Sequence, residues 1–208
     1  MIRLHDYYRS SAAYRVRIAL NLKGLDYKQV KVNLLEDGQK SDAYRALNPQ
    51  GLVPMLEIDG ARLTQSLSIV NYLNARYPDP PLAPADPVAA AHVRSMAQVV
   101  ASDIHPLNNL RVLKYLKTQL GQTQEAIDSW YIHWICDGFL ALEQLANKYG
   151  GVYLSGDLPG LADLCLVPQM YNARRFNVPL DDFPKLVDYD VKAGALDAFA
   201  AAHPDRNG

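Results

Sequence analysis

A proline-rich segment divides this 208-residue chain into two parts of different character. Residues 78–87 have the sequence PDPPLAPADP, and its five prolines are too many for a helix or a central strand. Strand and helix patterns alternate before this segment, whereas only helical periods follow it. We therefore predict a first domain at residues 1–78, a stiff linker at 79–87, and a second domain at 88–208.

The first part has the pattern of an α+β domain. Residues 2–7 have strand character, a helical stripe follows them, and residues 27–34 alternate apolar with polar side chains. Asp59-Gly60 is a strong hairpin signal between two further strands, and another helical stripe ends near residue 77. With a short helix before the hairpin, the predicted order is βαβαββα. The second part is predicted to be all-α.

Charge and hydropathy exclude several classes of partner. The 21 basic residues nearly balance the 22 acidic ones, so the chain lacks the basic field that dominates binding to nucleic acids and anionic membranes. No stretch approaches the ~20 apolar residues that span a bilayer. Cys136 and Cys165 lie in apolar helical stretches without zinc-site spacing, so we expect core thiols and no metal. We expect a cytoplasmic protein whose partners are small molecules or a second copy of itself.

The stretch RSSAAYRVRIAL, residues 9–20, places an arginine and two serines just before an apolar helix. Ser10 or Ser11 can serve as the helix N-cap, because a serine hydroxyl accepts a hydrogen bond from a first-turn N–H group. The positive end of the helix dipole at this point also favours a negative charge. A cap and an anion-binding site are both compatible with this stretch.

Two further motifs place polar groups at the ends of strands. Pro54 stands near a strand start, and a cis Val53-Pro54 bond is one way to leave the Val53 backbone free for a ligand. Gln65 and Ser66 join a strand to a helix, where we expect Ser66 to be the N-cap and the nearby N–H groups to suit a carboxylate. An edge proline and a simple cap are the ordinary structural explanations of these motifs.

Taken in order, these motifs make the chain similar to the zeta class of glutathione transferases, the class that contains maleylacetoacetate and maleylpyruvate isomerases. The resemblance runs nearly end to end, through RSSAAYRVRIALNLKGLDY, ALNPQGLVPMLEIDG, QSLSIVNYL, HPLNNLRVLKYL and ADLCLVPQMYNARRF. It implies an α+β thioredoxin-like N-terminal domain, an all-α C-terminal domain, glutathione as cofactor, and a homodimer.

The resemblance also implies roles for individual residues. Ser10 would donate its hydroxyl hydrogen to the glutathione sulfur and favour the thiolate, and Ser11 would add a second polar contact. Arg9 would bind a carboxylate of a dianionic substrate and act in catalysis. The other implied contacts are to glutathione at Gln39, Val53, Pro54, Gln65, Ser66, His105 and Asn109, and to substrate at Arg111 and Arg175.

The implied reaction is the glutathione-dependent cis–trans isomerisation of a maleyl keto acid to its fumaryl isomer, a step of aromatic compound degradation. Two alternatives stay open: a broader transferase acting on α-halo acids, and a binding module that is not an enzyme. Ala12 stands where many zeta enzymes carry cysteine, which leaves open whether maleylacetoacetate or maleylpyruvate is the substrate. Gly160, three residues before Asp163, replaces the usual serine or threonine helix cap.

Overall fold

The computed structural model describes residues 1–208, which form two compact units. One unit consists of Met1–Pro81 together with Ala195–Gly208, and the other of Leu82–Gly194. The division falls within the proline-rich segment. The sequence prediction placed residues 195–208 in the helical domain, whereas in the structure they pack with the N-terminal unit.

The N-terminal unit is built on a four-stranded mixed sheet in the order β2-β1-β3-β4. β1 pairs in parallel with β2 and antiparallel with β3, and β3 pairs antiparallel with β4. This arrangement confirms the predicted thioredoxin-like βαβαββα order. Its elements are β1 (Ile2–Asp6), α1 (Ser11–Leu22), β2 (Tyr27–Lys31), α2 (Asp42–Leu47), β3 (Met55–Ile58), β4 (Ala61–Thr64) and α3 (Ser66–Arg76).

The second unit is entirely helical, as predicted. Its central helix, α8, is buried along most of its length and packs against α4 and α9. A π-helical segment, Val99–Ile104, follows α4. None of its helices is both long enough and apolar enough to cross a membrane. The helices are α4 (Pro87–Gln98), α5 (His105–Leu107), α6 (Leu110–Thr118), α7 (Gln124–Tyr149), α8 (Leu161–Arg175) and α9 (Pro184–Gly194).

Local turn chemistry sets the ends of the N-terminal elements. Asp59 and Gly60 have φ values of 51° and 77°, which is the two-residue turn with positive φ that matches the twist of a hairpin. Gly24, at φ 62°, ends α1, and the next residue's N–H reaches back to the carbonyl of Leu20. These glycines occupy backbone conformations that other residues adopt at a cost.

Buried Arg17 is one of the residues that hold Ala195–Gly208 in the N-terminal unit. Its Nε donates to the carbonyl of Ala202, in α10 (Asp197–Ala202), at 2.9 Å. Its Nη1 contacts both carboxylate oxygens of Asp6 at 2.7 and 2.9 Å, and its Nη2 donates to the carbonyl of Tyr8. One guanidinium therefore joins β1, the loop before α1, and the last helix. Burial raises the pKa of Asp6, and Arg17 counters that effect.

The start of α8 is held by a side chain inside the helix rather than by its N-cap. The N-cap residue is Gly160, which has no side chain to accept a hydrogen bond. Asp163 Oδ2 accepts from the N–H groups of Gly160 and Ser155 at 3.0 and 3.1 Å, and Oδ1 accepts from that of Leu154 at 2.8 Å. Burial raises the pKa of Asp163. The glycine is also required sterically, because an added Cβ would lie 2.5 Å from the carbonyl oxygen of Leu82.

We expect Gly160→Ser to destabilise the protein, although serine is ordinarily the better cap. The new Cβ would meet backbone atoms, and overpacking of this kind costs ~1–3 kcal/mol, more than a cap contributes. The free energy of unfolding in urea measures the change. Gly194→Ser is the matched control, because an added Cβ there has no neighbour within 4 Å. A Gly160→Ser protein that is more stable than the wild type would contradict the steric argument.

Candidate active site

The N-terminus of α1 presents the hydroxyl of Ser10. Ser10 is the N-cap, with its Oγ accepting from the N–H of Ala13 at 3.2 Å, so Ser10 and not Ser11 supplies the cap. A hydroxyl that accepts a hydrogen bond keeps its own hydrogen for donation. Ser10 is half-buried, and its own N–H donates to the carbonyl of Tyr7 at 2.8 Å. Ser11 is buried and begins the helix. The N-terminus of α1 therefore offers one hydrogen-bond donor, the Ser10 hydroxyl, next to the positive end of the helix dipole.

Strand pairing brings the predicted N-terminal site segments to one end of the sheet. His5, near the end of β1, pairs with Met55, the first residue of β3, and Met55 also pairs with Thr64, the last residue of β4. The residues that follow β1, precede β3 and follow β4 therefore lie at the same end. These are the segments that contain Ser10, Val53 with Pro54, and Gln65 with Ser66.

The Val53-Pro54 peptide bond is cis, as the sequence allowed. Val53 is half-buried and lies two residues before the start of β3. Its N–H and carbonyl take no part in the turn and loop hydrogen bonds of the backbone. Both groups can therefore pair with the backbone of a peptide ligand.

The start of α3 differs from the prediction. Gln65, with φ 67°, occupies the N-cap position and makes no side-chain cap, whereas Ser66 is the first helical residue. The Ser66 hydroxyl lies inside the helix rather than at the cap position, and it accepts a hydrogen bond from buried Arg15 Nη1 at 3.2 Å. Gln65 Nε2 donates to Gln50 Oε1 at 2.7 Å. The first N–H groups of α3 have no acceptor within the helix and can bind an anion.

Gln39 carries a buried acceptor that the protein does not use. The residue is 8% exposed, and its Nε2 donates to Asp37 Oδ1 at 3.3 Å. Its Oε1 is buried and has no hydrogen-bond partner. Leaving a buried acceptor unpaired costs ~1–3 kcal/mol, so a ligand N–H group at this position would recover that energy.

Arg9 is an exposed cation next to Ser10. Its guanidinium carbon lies 5.0 Å from the centroid of the Tyr8 ring, and it forms no salt bridge. A guanidinium is always ionised and can bind a carboxylate through two parallel hydrogen bonds. Arg9 is therefore available to a carboxylate ligand.

The predicted residues of the helical unit lie on two segments. His105 is the first residue of α5, after the π-helical turn, and Asn109 caps α6. Asn109 Oδ1 accepts from the N–H of Arg111 at 3.1 Å, which leaves the amide nitrogen and a second lone pair of Oδ1 for a ligand. Arg111 itself is exposed. No group of three or more His, Cys, Asp or Glu side chains is arranged to hold a metal ion.

Arg174 and Arg175 at the end of α8 have different environments. Arg174 is ion-paired with Asp190 at 2.6 Å. Arg175 is exposed, lies 5.0 Å from the centroid of the Phe176 ring, and forms no salt bridge. Burial raises the pKa of nearby Tyr131, so that phenol stays neutral at pH 7 and does not offset the charge of Arg175. Of the two arginines, Arg175 is the one available to an anion.

Comparison with known proteins decides the family. A model of the N-terminal domain of glutathione S-transferases matches residues 4–81. A maleylacetoacetate isomerase of Pseudomonas aeruginosa is 48% identical over 206 residues, which make up 98% of this chain and 96% of that protein. A solved maleylpyruvate isomerase, described as a bacterial zeta-class glutathione S-transferase, is 44% identical with a TM-score of 0.96, covering 98% of this chain and 97% of that one. The chain belongs to the zeta class of glutathione transferases.

This zeta-class transferase also resembles a structure that contains ligands. A maleylacetoacetate isomerase from Methylobacterium extorquens AM1, with bound malonate and glutathione, is 39% identical with a TM-score of 0.94. The match covers 98% of this chain and 97% of that one. Near-complete coverage on both sides means that the likeness extends to both units of the zeta-class fold.

The residues of the zeta-class transferase fit glutathione. The tripeptide carries a thiol, amide N–H and carbonyl groups, and a carboxylate at its γ-glutamyl end. The chain offers a hydroxyl donor at Ser10, an unpaired buried acceptor at Gln39, a backbone without internal partners at Val53, and first-turn N–H groups at Ser66. The sequence analysis did not single out Arg15, which donates a hydrogen bond to the Ser66 hydroxyl. The only signal in the sequence was a basic residue inside the apolar helix stretch YRVRIAL.

Proposed function

We propose that this chain is a glutathione-dependent isomerase that converts a maleyl keto acid, maleylacetoacetate or maleylpyruvate, to its fumaryl isomer. The observation that carries the proposal is the Ser10 hydroxyl, held at the positive end of α1 with its hydrogen free to donate. Nearly full-length similarity to isomerases of both names supports it. The substrate is a dicarboxylate, which matches the malonate in the related isomerase structure.

The proposed roles follow from the charge and hydrogen-bonding capacity of each residue. When bound, glutathione supplies a nucleophilic sulfur that adds to the substrate double bond and leaves after rotation about the resulting single bond. Ser10 keeps that sulfur ionised by donating a hydrogen bond to it, aided by the dipole of α1. Arg9 and Arg175 bind the substrate carboxylates and stabilise negative charge as it develops. Ser11, His105 and Asn109 are further proposed contacts to glutathione, and Arg111 is a further proposed contact to the substrate.

An ultraviolet assay with purified protein tests the function directly. Maleylacetoacetate and maleylpyruvate are offered side by side, with and without glutathione, and dichloroacetate is offered as an α-halo acid. We expect isomerisation of at least one maleyl compound that requires glutathione, at a rate well above dechlorination. Faster turnover of dichloroacetate would favour the broader transferase. Absence of any binding to immobilised glutathione would favour a non-enzymatic module.

Arg175→Gln is expected to raise KM for the maleyl substrate about 10- to 100-fold, because a charge-assisted hydrogen bond contributes ~1.5–3 kcal/mol. Glutathione affinity should stay unchanged. Steady-state kinetics with each ligand varied in turn separates the two effects. Arg174→Gln is the matched control, since Arg174 is already paired with Asp190. Equal losses in the two variants would remove Arg175 from the substrate site.

We also propose that two copies of the chain associate into a homodimer, as the family resemblance implies. Analytical ultracentrifugation is expected to give a mass near twice the 23.2 kDa of the chain. A monomeric mass at micromolar concentration would contradict this proposal and leave the isomerase proposal unaffected.

A further inference from the structure

A buried tyrosine of the helical unit carries a hydroxyl that the protein does not use. Tyr131, on α7, is 3% exposed, and its ring stacks on that of Phe176 with the centroids 3.8 Å apart. Outside the helix, the hydrogen bond of this residue is at its backbone carbonyl, so the hydroxyl has no partner in the protein. Phenylalanine would fill the same space, and burying a hydroxyl without a partner costs free energy. Packing alone therefore does not explain the phenol.

The turn of α7 that carries Tyr131 is fixed by two hydrogen bonds. Asn108 Nδ2 donates to the Tyr131 carbonyl at 3.0 Å, and Trp130 Nε1 donates to the carbonyl of Leu107 at 3.0 Å. Both bonds join α7 to the end of α5 and the residue that follows it. Together with the stacked Phe176 ring, they hold the Tyr131 ring in one place. The position of its hydroxyl oxygen is therefore set before any ligand binds.

The exposed cation Arg175 approaches the same aromatic pair. Its guanidinium carbon lies 5.0 Å from the Phe176 centroid, so one ring contacts both the cation and the Tyr131 ring. Burial raises the pKa of Tyr131, whereas the charge of Arg175 lowers it, so the phenol is neutral at pH 7 and feels the cation. A guanidinium cannot accept a hydrogen bond. The two side chains therefore offer one charged and one neutral donor, and an anion can accept from both.

We propose that Tyr131 is a further substrate-binding residue, whose hydroxyl donates a hydrogen bond to the substrate carboxylate that Arg175 binds. The inference rests on the proposed function, because that carboxylate belongs to the maleyl keto acid. A carboxylate has two oxygens with about four lone-pair sites, so it can accept from a guanidinium and a phenol together. The neutral donor adds direction to the attraction of the cation. It makes the site selective for an ionised carboxylate at this end of the substrate.

The test measures the binding of malonate, a dicarboxylate that is not turned over, to the glutathione-loaded protein by titration calorimetry. Tyr131→Phe removes only the hydroxyl and is expected to weaken malonate binding about tenfold, because a hydrogen bond to a charged group is lost. KM for the maleyl substrate should rise by a similar factor, and glutathione affinity should stay unchanged. The free energy of unfolding without ligand should not fall, because the hydroxyl has no partner in the protein.

Tyr189→Phe is the matched control. Tyr189 is a buried tyrosine of the same unit, and its hydroxyl donates to the carbonyl of Gly151 at 3.2 Å. Its substitution should lower the free energy of unfolding and leave malonate affinity and KM unchanged, which is the opposite of the result expected for Tyr131→Phe. Losses of malonate affinity that are equal in the two variants would show a general effect on packing and overturn the inference.

A double-mutant cycle tests whether Tyr131 and Arg175 act on the same carboxylate. In an Arg175→Gln background, Tyr131→Phe should reduce malonate affinity by a smaller factor than it does alone, because groups that share a ligand couple energetically. Equal factors in the two backgrounds would mean that the residues do not share this ligand, and the inference would be wrong.

The outcomes distinguish the inference from the function on which it rests. If the wild type isomerises a maleyl acid with glutathione, and Tyr131→Phe keeps both KM and malonate affinity, the inference fails alone. If the wild type does not isomerise either maleyl acid, but its malonate affinity depends on Tyr131, the carboxylate site stands and the proposed reaction is wrong.

Discussion

Ser10→Ala is expected to lower kcat for glutathione-dependent isomerisation about 10- to 100-fold, because a hydrogen bond to a charged group contributes ~1.5–3 kcal/mol. The lost donor is the hydroxyl hydrogen that the cap leaves free at the end of α1. Without it, the sulfur is a weaker acid, so the apparent pKa in the pH profile of kcat should move upward. Glutathione affinity should change little, since the tripeptide keeps its contacts elsewhere.

The same substitution also removes a helix cap, which costs ~1 kcal/mol of stability and must be separated from the catalytic effect. Ser41→Ala is the matched control, because Ser41 caps α2 by accepting from the N–H of Tyr44 at 3.2 Å. It should lower stability by a similar amount and leave kcat and the pH profile unchanged. The absorbance of bound thiolate, followed against pH, measures the ionisation directly. An unchanged profile in Ser10→Ala would remove Ser10 from thiol activation.

Features governed by nearest neighbours could be predicted from the sequence. The Asp59-Gly60 hairpin and the glycine stop after α1 each depend on backbone preferences of one or two residues. The order βαβαββα followed from apolar periodicity. Element ends were less accurate: β2 ends at Lys31 and not at residue 34, because Lys31 pairs with Asp6, the last residue of the neighbouring strand β1.

Features that depend on distant contacts were missed. Ser66 was expected to cap α3, but it is the first helical residue, and its hydroxyl accepts a hydrogen bond from Arg15 on another helix. Residues 195–208 pack with the N-terminal unit because Arg17 binds the carbonyl of Ala202 across 185 positions of the chain. In the sequence Gly160 stood out only as a replacement of the usual serine or threonine cap, yet its lack of a side chain is imposed by the carbonyl of Leu82. No local pattern encodes these contacts.

Part of the candidate site could likewise be predicted from local sequence features, and part depends on distant contacts. Ser10, the Val53-Pro54 pair and Gln65 stand at ends of secondary structure, and strand pairing places those ends together. Their roles came from the family resemblance and stay predictions; the structure adds that Ser10 Oγ accepts from Ala13 and that the Val53 backbone has no partner among the turn and loop hydrogen bonds. The contact between Arg15 and Ser66 could not be predicted in this way, because it joins two helices that are 51 residues apart in the chain.

Asp163→Ala is expected to lower the free energy of unfolding by ~3–5 kcal/mol, because it leaves three buried N–H groups without their acceptor. Those donors belong to Leu154, Ser155 and Gly160, and together they fix the chain entering α8. Since α8 is the most buried helix of its unit, loosening its start should disturb the packing of α4 and α9 as well. Urea unfolding measures the loss.

Asp163→Asn tests whether acceptor capacity, and not side-chain volume, produces this effect. The amide has nearly the same shape, but its nitrogen would face an N–H donor, so we expect a loss of ~1–3 kcal/mol for each donor left unpaired. Asp188→Asn is the control in the same unit, because Asp188 is half-exposed and paired with Lys192 only at the surface, where such pairs contribute ~0.2–1 kcal/mol. An Asp163→Asn protein as stable as the Asp188→Asn protein would show that the carboxylate does not hold α8.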